Sequence, residues 1–339
     1  MTTMLYLLRA QLFPTCLVAL FTLAGVKAMS IPRPQMQKRI KSSIYTAFSP
    51  DPRVPAGSWD SHLHVLDPVN YPLDPDATYT PGVYTIWDTA LFEHSLGVDQ
   101  IVLVQPSIYG TDNSLLLNTL RAVGPERARG VVVFEPSDVD QNELQEWHDL
   151  GVRGVRVNLI SNDDDSSIEE ISVLLRSYAE TIRPFGWVLQ LYVKMSLIPK
   201  IEDLVSDLDV GVVFDHLGVP TLPKCSRRSK GLDPYSIAGF PSLARLLSRG
   251  NAWVKISGAY RETNLVNSTT WDDLDPVILE LLRVGPERVV YASDWPHTRY
   301  EGLDIRPWTS HLLDLTEGDE QLRQKLFRDN ASQLWNRTS

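Results

Sequence analysis

Eight short apolar runs rich in Val and Ile recur from about residue 57 onward, and longer amphipathic stretches lie between them. The runs read SWDSHLHV, QIVLVQPS, ARGVVVFEP, VRGVRVNL, GWVLQLYV, VGVVFDHLG, AWVKISGAY and RVVYASDWP. Near-continuous apolarity, rather than strict alternation, marks strands buried on both faces, as in parallel sheets covered by helices. The segments between carry helix signals. NSLLLNTLRAVG has Asn113 or Asp112 as its cap, NELQEWHDLG ends on Gly151, and SIEEISVLLRSYAETIRPFG follows the fourth run. Eight strand–helix units over roughly 280 residues suit a closed (β/α)8 barrel. A doubly wound open sheet would carry a Gly-rich phosphate turn after its first strand, and this chain has none. The expectation is a single TIM barrel, an α/β fold, over residues 57–336, without repeats, low-complexity tracts or a second domain.

All strand C-termini of such a barrel meet at one rim. Three groups of residues fall there. His62 and His64 end the first run as HxH, and a period of two puts both on one face. His216 ends the sixth run and Asp294 the eighth. A carboxylate at the end of a buried strand must be hydrogen-bonded, paired or metal-bound to offset its desolvation. Three imidazoles with one carboxylate make a site for a divalent metal, or for acid–base hydrolysis without one. Taken singly, the same residues also suit a structural His pair, a core His and an Asp capping a turn. Long loops are expected at residues 66–82, 160–167, 217–236 and 258–271. The first is aromatic and Pro-rich, and it reads as a partial lid over the mouth.

Charge narrows the function further. Of the 32 Lys and Arg, six lie in residues 1–50, which contain no Asp or Glu, so all 42 acidic residues lie beyond. A body this acidic lacks the basic face that nucleic acid requires. The two cysteines, Cys16 and Cys225, support neither a disulfide framework nor a thiolate metal cluster. At the N-terminus, Arg9 precedes LFPTCLVALFTLAGVKA, an apolar run closed by small residues. Residues 1–28 read as a secretory signal or other targeting segment and 29–56 as a linker, with mitochondrial or cytoplasmic residence as alternatives. The run is short for a stable membrane span. Sequons at Asn267, Asn330 and Asn336 are compatible with secretion.

In order, the motifs DSHLHV, YPLDPDATYTPG, LVQPSIYGTDN, GVRGVRVN, FDHLG, KISGAYR and SDWPH run along the chain. Together they resemble the amidohydrolase superfamily, and within it the metal-dependent-hydrolase-like branch that includes 2-pyrone-4,6-dicarboxylate lactonase and 4-sulfomuconolactone hydrolase. The resemblance spans residues from about 57 to 336. It implies a distorted (β/α)8 barrel that hydrolyses amides, esters or lactones, or decarboxylates aromatic acids. Binuclear members carry a bridging carboxylated Lys on strand four and a His on strand five. Here those strands read GVRGVRVN and LQLYV, so a two-metal centre is not expected. His62, His64, His216 and Asp294 remain as the ligand set for one divalent metal such as zinc, and metal-free catalysis stays open. The resemblance also implies a substrate grip by Tyr79, Ser107, Arg156, Tyr192 and Arg261. Alternation along VRGVRVN puts Arg156 on the opposite face from Arg153, where an inward guanidinium needs an anion. The dicarboxylate lactonase pattern has a further Arg after strand four, where this chain reads SNDDDSS. A small monoacid or a neutral lactone is therefore the expected substrate.

The expected activity is opening of a lactone or related cyclic ester of aromatic or polyketide origin. Asp294 acts as base on water and later returns the proton to the leaving oxygen. The His cluster, directly or through one metal, polarises the carbonyl. Non-oxidative decarboxylation of a hydroxybenzoate-type acid is the alternative enzyme, with Asp60 near HxH at an imperfect offset for the extra carboxylate. A non-catalytic ligand-binding barrel is the alternative of another class.

Overall fold

The computed structural model describes residues 49–160, 167–224, 231–250 and 252–336. The expected targeting segment, most of the linker, both cysteines and nearly all of SNDDDSS lie outside them. Eight strands form one sheet: β1 (Trp59–Leu63), β2 (Gln100–Val104), β3 (Ala128–Val132), β4 (Val152–Asn158), β5 (Val188–Tyr192), β6 (Gly211–Phe214), β7 (Ala252–Ile256) and β8 (Val289–Tyr291). Each pairs in parallel with the next in sequence. The chain just past β8 then returns to β1: Asp294 N donates to His62 O at 2.9 Å and His64 N to Trp295 O at 2.8 Å. These bonds close the sheet into the expected (β/α)8 barrel, and they do so at the rim where the strands end.

The helices that cover it are α1 (Ile86–Leu96), α2 (Ser114–Val123), α3 (Gln141–Leu150), α4 (Ile168–Ile182), α5 (Ile198–Asp207), α6 (Phe240–Arg249), α7 (Ala259–Glu262), α8 (Asp275–Val284), α9 (Arg306–Leu315), α10 (Glu320–Gln324) and α11 (Asn330–Trp335). Their ends follow local chemistry. Gly151 closes α3 in the left-handed conformation, φ 108°, which a residue without Cβ adopts at no steric cost. At the start of α2 the two expected caps divide the work. Asp112 accepts from Ser114 N at 3.0 Å, while Asn113 turns away and pairs with Val133 on the β3 side through both its amide ends.

Two apolar layers result. The larger lies between strands and helices. The smaller fills the barrel interior with Trp59, Val102, Val104, Val131, Val188, Val213, Trp253 and Val290, and α11 plugs its floor with Ala331, Leu334 and Trp335. Asn330 fixes that plug by donating to Pro286 O and Val289 O at 2.9 and 2.8 Å. The sequon at this position is thus buried, whereas Asn267 lies exposed in the loop after α7. Going up the barrel, Trp335 gives way to Lys255, 5.3 Å above its ring, and polar side chains replace apolar ones towards the rim. The 66–82 loop is tied down at several points. Asp74 N donates to Ile108 O, Tyr109 Oη accepts from Asp67 N, and Arg299 stacks 4.6 Å over Tyr79. It thereby bridges the loops after β2 and β8.

Candidate active site

A bulge in the β1–β2 pairing, between Asp60 and Leu63, breaks the simple alternation of the first strand. His62 turns into the barrel. Asp60 does not share that face. Its Oδ1 accepts from His62 N at 3.0 Å and Ser293 N at 2.9 Å, clasping the two chain segments that carry the rim residues. It lies beside Glu93 of α1, whose carboxyl is pushed well above the ordinary range by burial and by Asp60. His64, His216 and Asp294 sit just beyond their strands rather than within them, and His216 and Asp294 have φ of 50° and 61°. Non-glycine residues in that conformation are uncommon and mark places where tertiary contacts fix the backbone. Gly258, at φ +63°, leaves room for the His216 ring; a Cβ there would stand 2.8 Å from it.

The four rim residues converge. Asp294 Oδ1 lies 3.8 Å from His62 Nε2, 3.6 Å from His64 Nε2 and 3.9 Å from His216 Nε2. His64 Nδ1 meets Val104 O at 2.7 Å. A carbonyl only accepts, so Nδ1 donates this bond and Nε2 is turned towards Asp294. His216 Nδ1 bonds Ser257 Oγ at 2.9 Å. Burial lowers the pKa of His216 to about 4, and burial together with the Lys255 charge holds His62 well below its usual value. Both rings are therefore neutral near pH 7. The other oxygen of Asp294, Oδ2, accepts from Tyr260 Oη at 2.6 Å and Arg261 Nε at 3.1 Å. Burial works against its charge, but His216, Arg261 and His64 together hold the carboxyl well below the ordinary range.

These residues suit a divalent metal. His62 Nε2 is fully buried and has no hydrogen-bond partner among the described residues, a costly state for a polar atom unless something binds it. Neutral imidazole nitrogens and a carboxylate are the usual zinc donors. Asp215, 3.2 Å from His62 Nδ1, supplies the outer carboxylate that commonly orients a metal-ligating His.

Beneath the rim lies a buried charge network that the sequence did not reveal as part of the site. Asp215 Oδ2 accepts from Arg156 Nε at 3.0 Å and Gln190 Nε2 at 3.1 Å, and Lys255 Nζ stands 3.5 Å from Oδ1. Lys255 also donates to Gln190 Oε1 at 2.6 Å and lies 3.3 Å from His62 Nδ1. Burial lowers the ammonium to about 8. Burial would raise the Asp215 carboxyl, yet His62, Lys255 and Arg156 hold it well below its ordinary value.

The expected substrate-binding residues fall into two groups. Arg156, Tyr192 and Arg261 border the cluster. Arg156 points inward as alternation requires, opposite Arg153, and stacks 4.9 Å over Tyr192, which in turn packs edge-on against His216 at 5.3 Å. The anion that each guanidinium needs is already present, Asp215 for Arg156 and Asp294 for Arg261. Counter-charge alone therefore does not call for a substrate acid at either. Ser107, exposed at the head of a short turn after β2, and Tyr79, in the 66–82 loop, have no hydrogen bond or ion pair to the His–Asp cluster among the described residues. Lys255, Gln190, Asp215 and Tyr260 were legible only as polar residues inside otherwise apolar runs. A lone Lys in AWVKI was the sharpest of those signals.

Comparison with known proteins identifies the family. A family model described as Amidohydrolase matches residues 59–337. The chain is 30% identical over 292 residues to a 4-sulfomuconolactone hydrolase of Hydrogenophaga intermedia, covering 83% of this chain and 89% of that protein. It is also 30% identical over 296 residues to a 2-pyrone-4,6-dicarboxylate hydrolase of Comamonas testosteroni, covering 84% and 92%. Among solved structures, a Pseudomonas putida protein provisionally assigned as a 2-pyrone-4,6-dicarboxylic acid hydrolase superposes with a TM-score of 0.66 at 32% identity, covering 83% of this chain and 98% of that one. With its family model spanning nearly the whole barrel and its rim residues gathered around one carboxylate, the chain belongs to the amidohydrolase family.

Proposed function

We propose that this enzyme opens a lactone or related cyclic ester by adding water to its carbonyl, with Asp294 as the general base. The observation that carries the reading is the position of Asp294. One oxygen faces three imidazoles within 3.9 Å, and the other is locked by Tyr260 and Arg261. A carboxylate so fixed has one orientation in which to take a proton from water. The names of the two 30%-identical relatives, both lactone hydrolases, support the same chemistry.

His62, His64, His216 and Asp294 would hold one divalent metal, zinc by donor type, and such an ion supplies Lewis-acid polarisation of the carbonyl. Asp294 takes the proton of the attacking water. The imidazoles border the position where negative charge develops on the carbonyl oxygen. Arg156, Tyr192 and Arg261 wall the site, and their charges are already balanced by Asp215 and Asp294. That balance favours a monoacid or a neutral lactone, of aromatic or polyketide origin, over a doubly charged acid. Ser107 and Tyr79 would close the mouth around it. The decarboxylase reading called for an additional carboxylate beside HxH. Asp60 bonds backbone amides instead and belongs to neither cluster of potential ligands among the described residues.

Asp294→Asn retains size while removing the proton acceptor. Steady-state assay of lactone opening should show turnover reduced on the order of 100-fold or more in a variant that still folds, with the melting temperature lowered because Arg261 loses its anion. Near-normal turnover would exclude Asp294 as base.

A further inference from the structure

The 66–82 loop is fastened unevenly. Leu66 and Tyr84 exchange backbone hydrogen bonds at 2.8 and 2.7 Å and clamp its two ends together. The first arm is tied to the turn after β2 and to α2. Asp67 N donates to Tyr109 Oη at 2.9 Å, Asp74 N to Ile108 O at 2.8 Å, and Asn118 Nδ2 to Tyr71 Oη at 3.0 Å. The second arm, residues 78–83, makes no backbone hydrogen bond among the described residues. Tyr79 rests partly buried on the core, and the arm's one polar attachment among those residues is Arg299. Arg299 Nη2 donates to Thr78 Oγ1 at 3.0 Å, and the guanidinium stacks 4.6 Å over the Tyr79 ring. Arg299 itself stands on a fixed turn. Arg261 Nη2 donates to Thr298 O at 3.2 Å, and the Tyr300 ring meets that of Tyr260 at 4.8 Å. Arg261 and Tyr260 are the residues that lock Asp294.

We propose that Arg299 is the latch of a gate over the site. The 78–83 arm swings open about its β2-side anchor when Arg299 releases Thr78 and Tyr79, and it closes over the substrate when Arg299 takes them again. Arg299 is thus a positioning residue that acts through Tyr79. Its use on a lactone rests on the lactone-hydrolase reading; the gate itself does not. In the closed sheet β1 lies between β8 and β2, so a strap from the β2 side to the β8 side crosses the strand end that bears His62 and His64. Segments with few backbone hydrogen bonds open at little cost, and lids over active sites are drawn from them. Arg299 is exposed and has no carboxylate partner among the described residues, so its release strands no buried charge. A cation–π contact at an exposed site and one hydrogen bond together shift an open–closed equilibrium on the order of 10-fold. That holds the arm down most of the time and still lets it open.

Chymotrypsin reads the arm directly, because it cleaves after Tyr79 but not after Tyr71, which precedes Pro72. On the full chain, native-state cleavage after Tyr79, mapped by mass spectrometry, should be on the order of 10-fold faster in Arg299→Met than in the parent. It should be close to parental in Arg299→Lys, which keeps a cation and a donor. Cleavage rates elsewhere in the barrel should stay the same. With dihydrocoumarin as substrate, Arg299→Met should raise KM on the order of 10-fold and leave kcat nearly unchanged, since a gate adds binding that substrate and transition state share. Unchanged cleavage after Tyr79, or faster cleavage throughout the barrel, would overturn the latch. So would a fall in kcat at constant KM, which would mean that Arg299 supports Asp294 rather than the loop. Faster cleavage after Tyr79 in Arg299→Met, from a parent that opens neither dihydrocoumarin nor δ-valerolactone, would sustain the latch and remove the lactone-hydrolase reading.

Discussion

Replacing Asp215 by Asn tests what holds the floor of the site together. Asp215 is fully buried and is the anion shared by Arg156 at 3.0 Å and Lys255 at 3.5 Å. At an effective dielectric of about 20, the attraction across 3.0 Å is about 5 kcal/mol, and that across 3.5 Å is slightly smaller. Part of this is offset because the variant no longer buries a carboxylate. The net cost should fall in the range of about 3–5 kcal/mol found when a buried pair loses one partner. For a barrel of this size that corresponds to a fall in Tm of about 6–15 °C. Chemical denaturation at pH 7 should show the midpoint moving with an unchanged m-value. The lysine adds a second arm. Its folded-state pKa of about 8 already lies below its unfolded value of 10.5 although Asp215 raises it, so without that carboxylate the lysine sheds its uncompensated charge below pH 8 and the cost should shrink as pH rises towards 8. Placing Asp215→Asn in a Lys255→Met background should recover about 1 kcal/mol or more as a coupling energy. A loss below about 1 kcal/mol, or an identical loss with and without Lys255, would refute this view of the network.

Two further outcomes are expected. Trp335→Ala should open the barrel floor, costing about 3–5 kcal/mol of stability and leaving Lys255 without the ring beneath it; a variant as stable as the parent by denaturation would show that α11 is not a structural plug. Glu262→Gln should gain stability relative to the parent as pH rises from 4.5 to 8, because a carboxyl with a raised folded pKa loses its stabilising contribution across that interval; parallel stability–pH curves would show that Glu262 is not held protonated.

The barrel was legible because its strands are buried on both faces, and continuous Val and Ile runs follow directly from that burial. The rim was legible because a closed barrel leaves a strand-end His or Asp one place to go. The floor of the site was not. Asp215 and Lys255 are ordinary residues until β6 and β7 pair and bring them to 3.5 Å, a contact that no local pattern encodes. Asp60 was misleading for a local reason. Its spacing from His62 matches one strand face, but the bulge between Asp60 and Leu63 sends the two side chains to different layers. The inward arginines were read correctly in direction, but whether each faces a protein anion or a substrate depends on residues 33 and 59 positions away in the chain.

The most direct test of the central claim is lactone turnover in water enriched in oxygen-18. The enzyme should release one equivalent of acid per lactone consumed and place one labelled oxygen in the new carboxylate, and Asp294→Asn should suppress both signals together. Release of carbon dioxide without acid, or label uptake that persists in Asp294→Asn, would contradict the assignment of Asp294 as the base of a water-adding hydrolase.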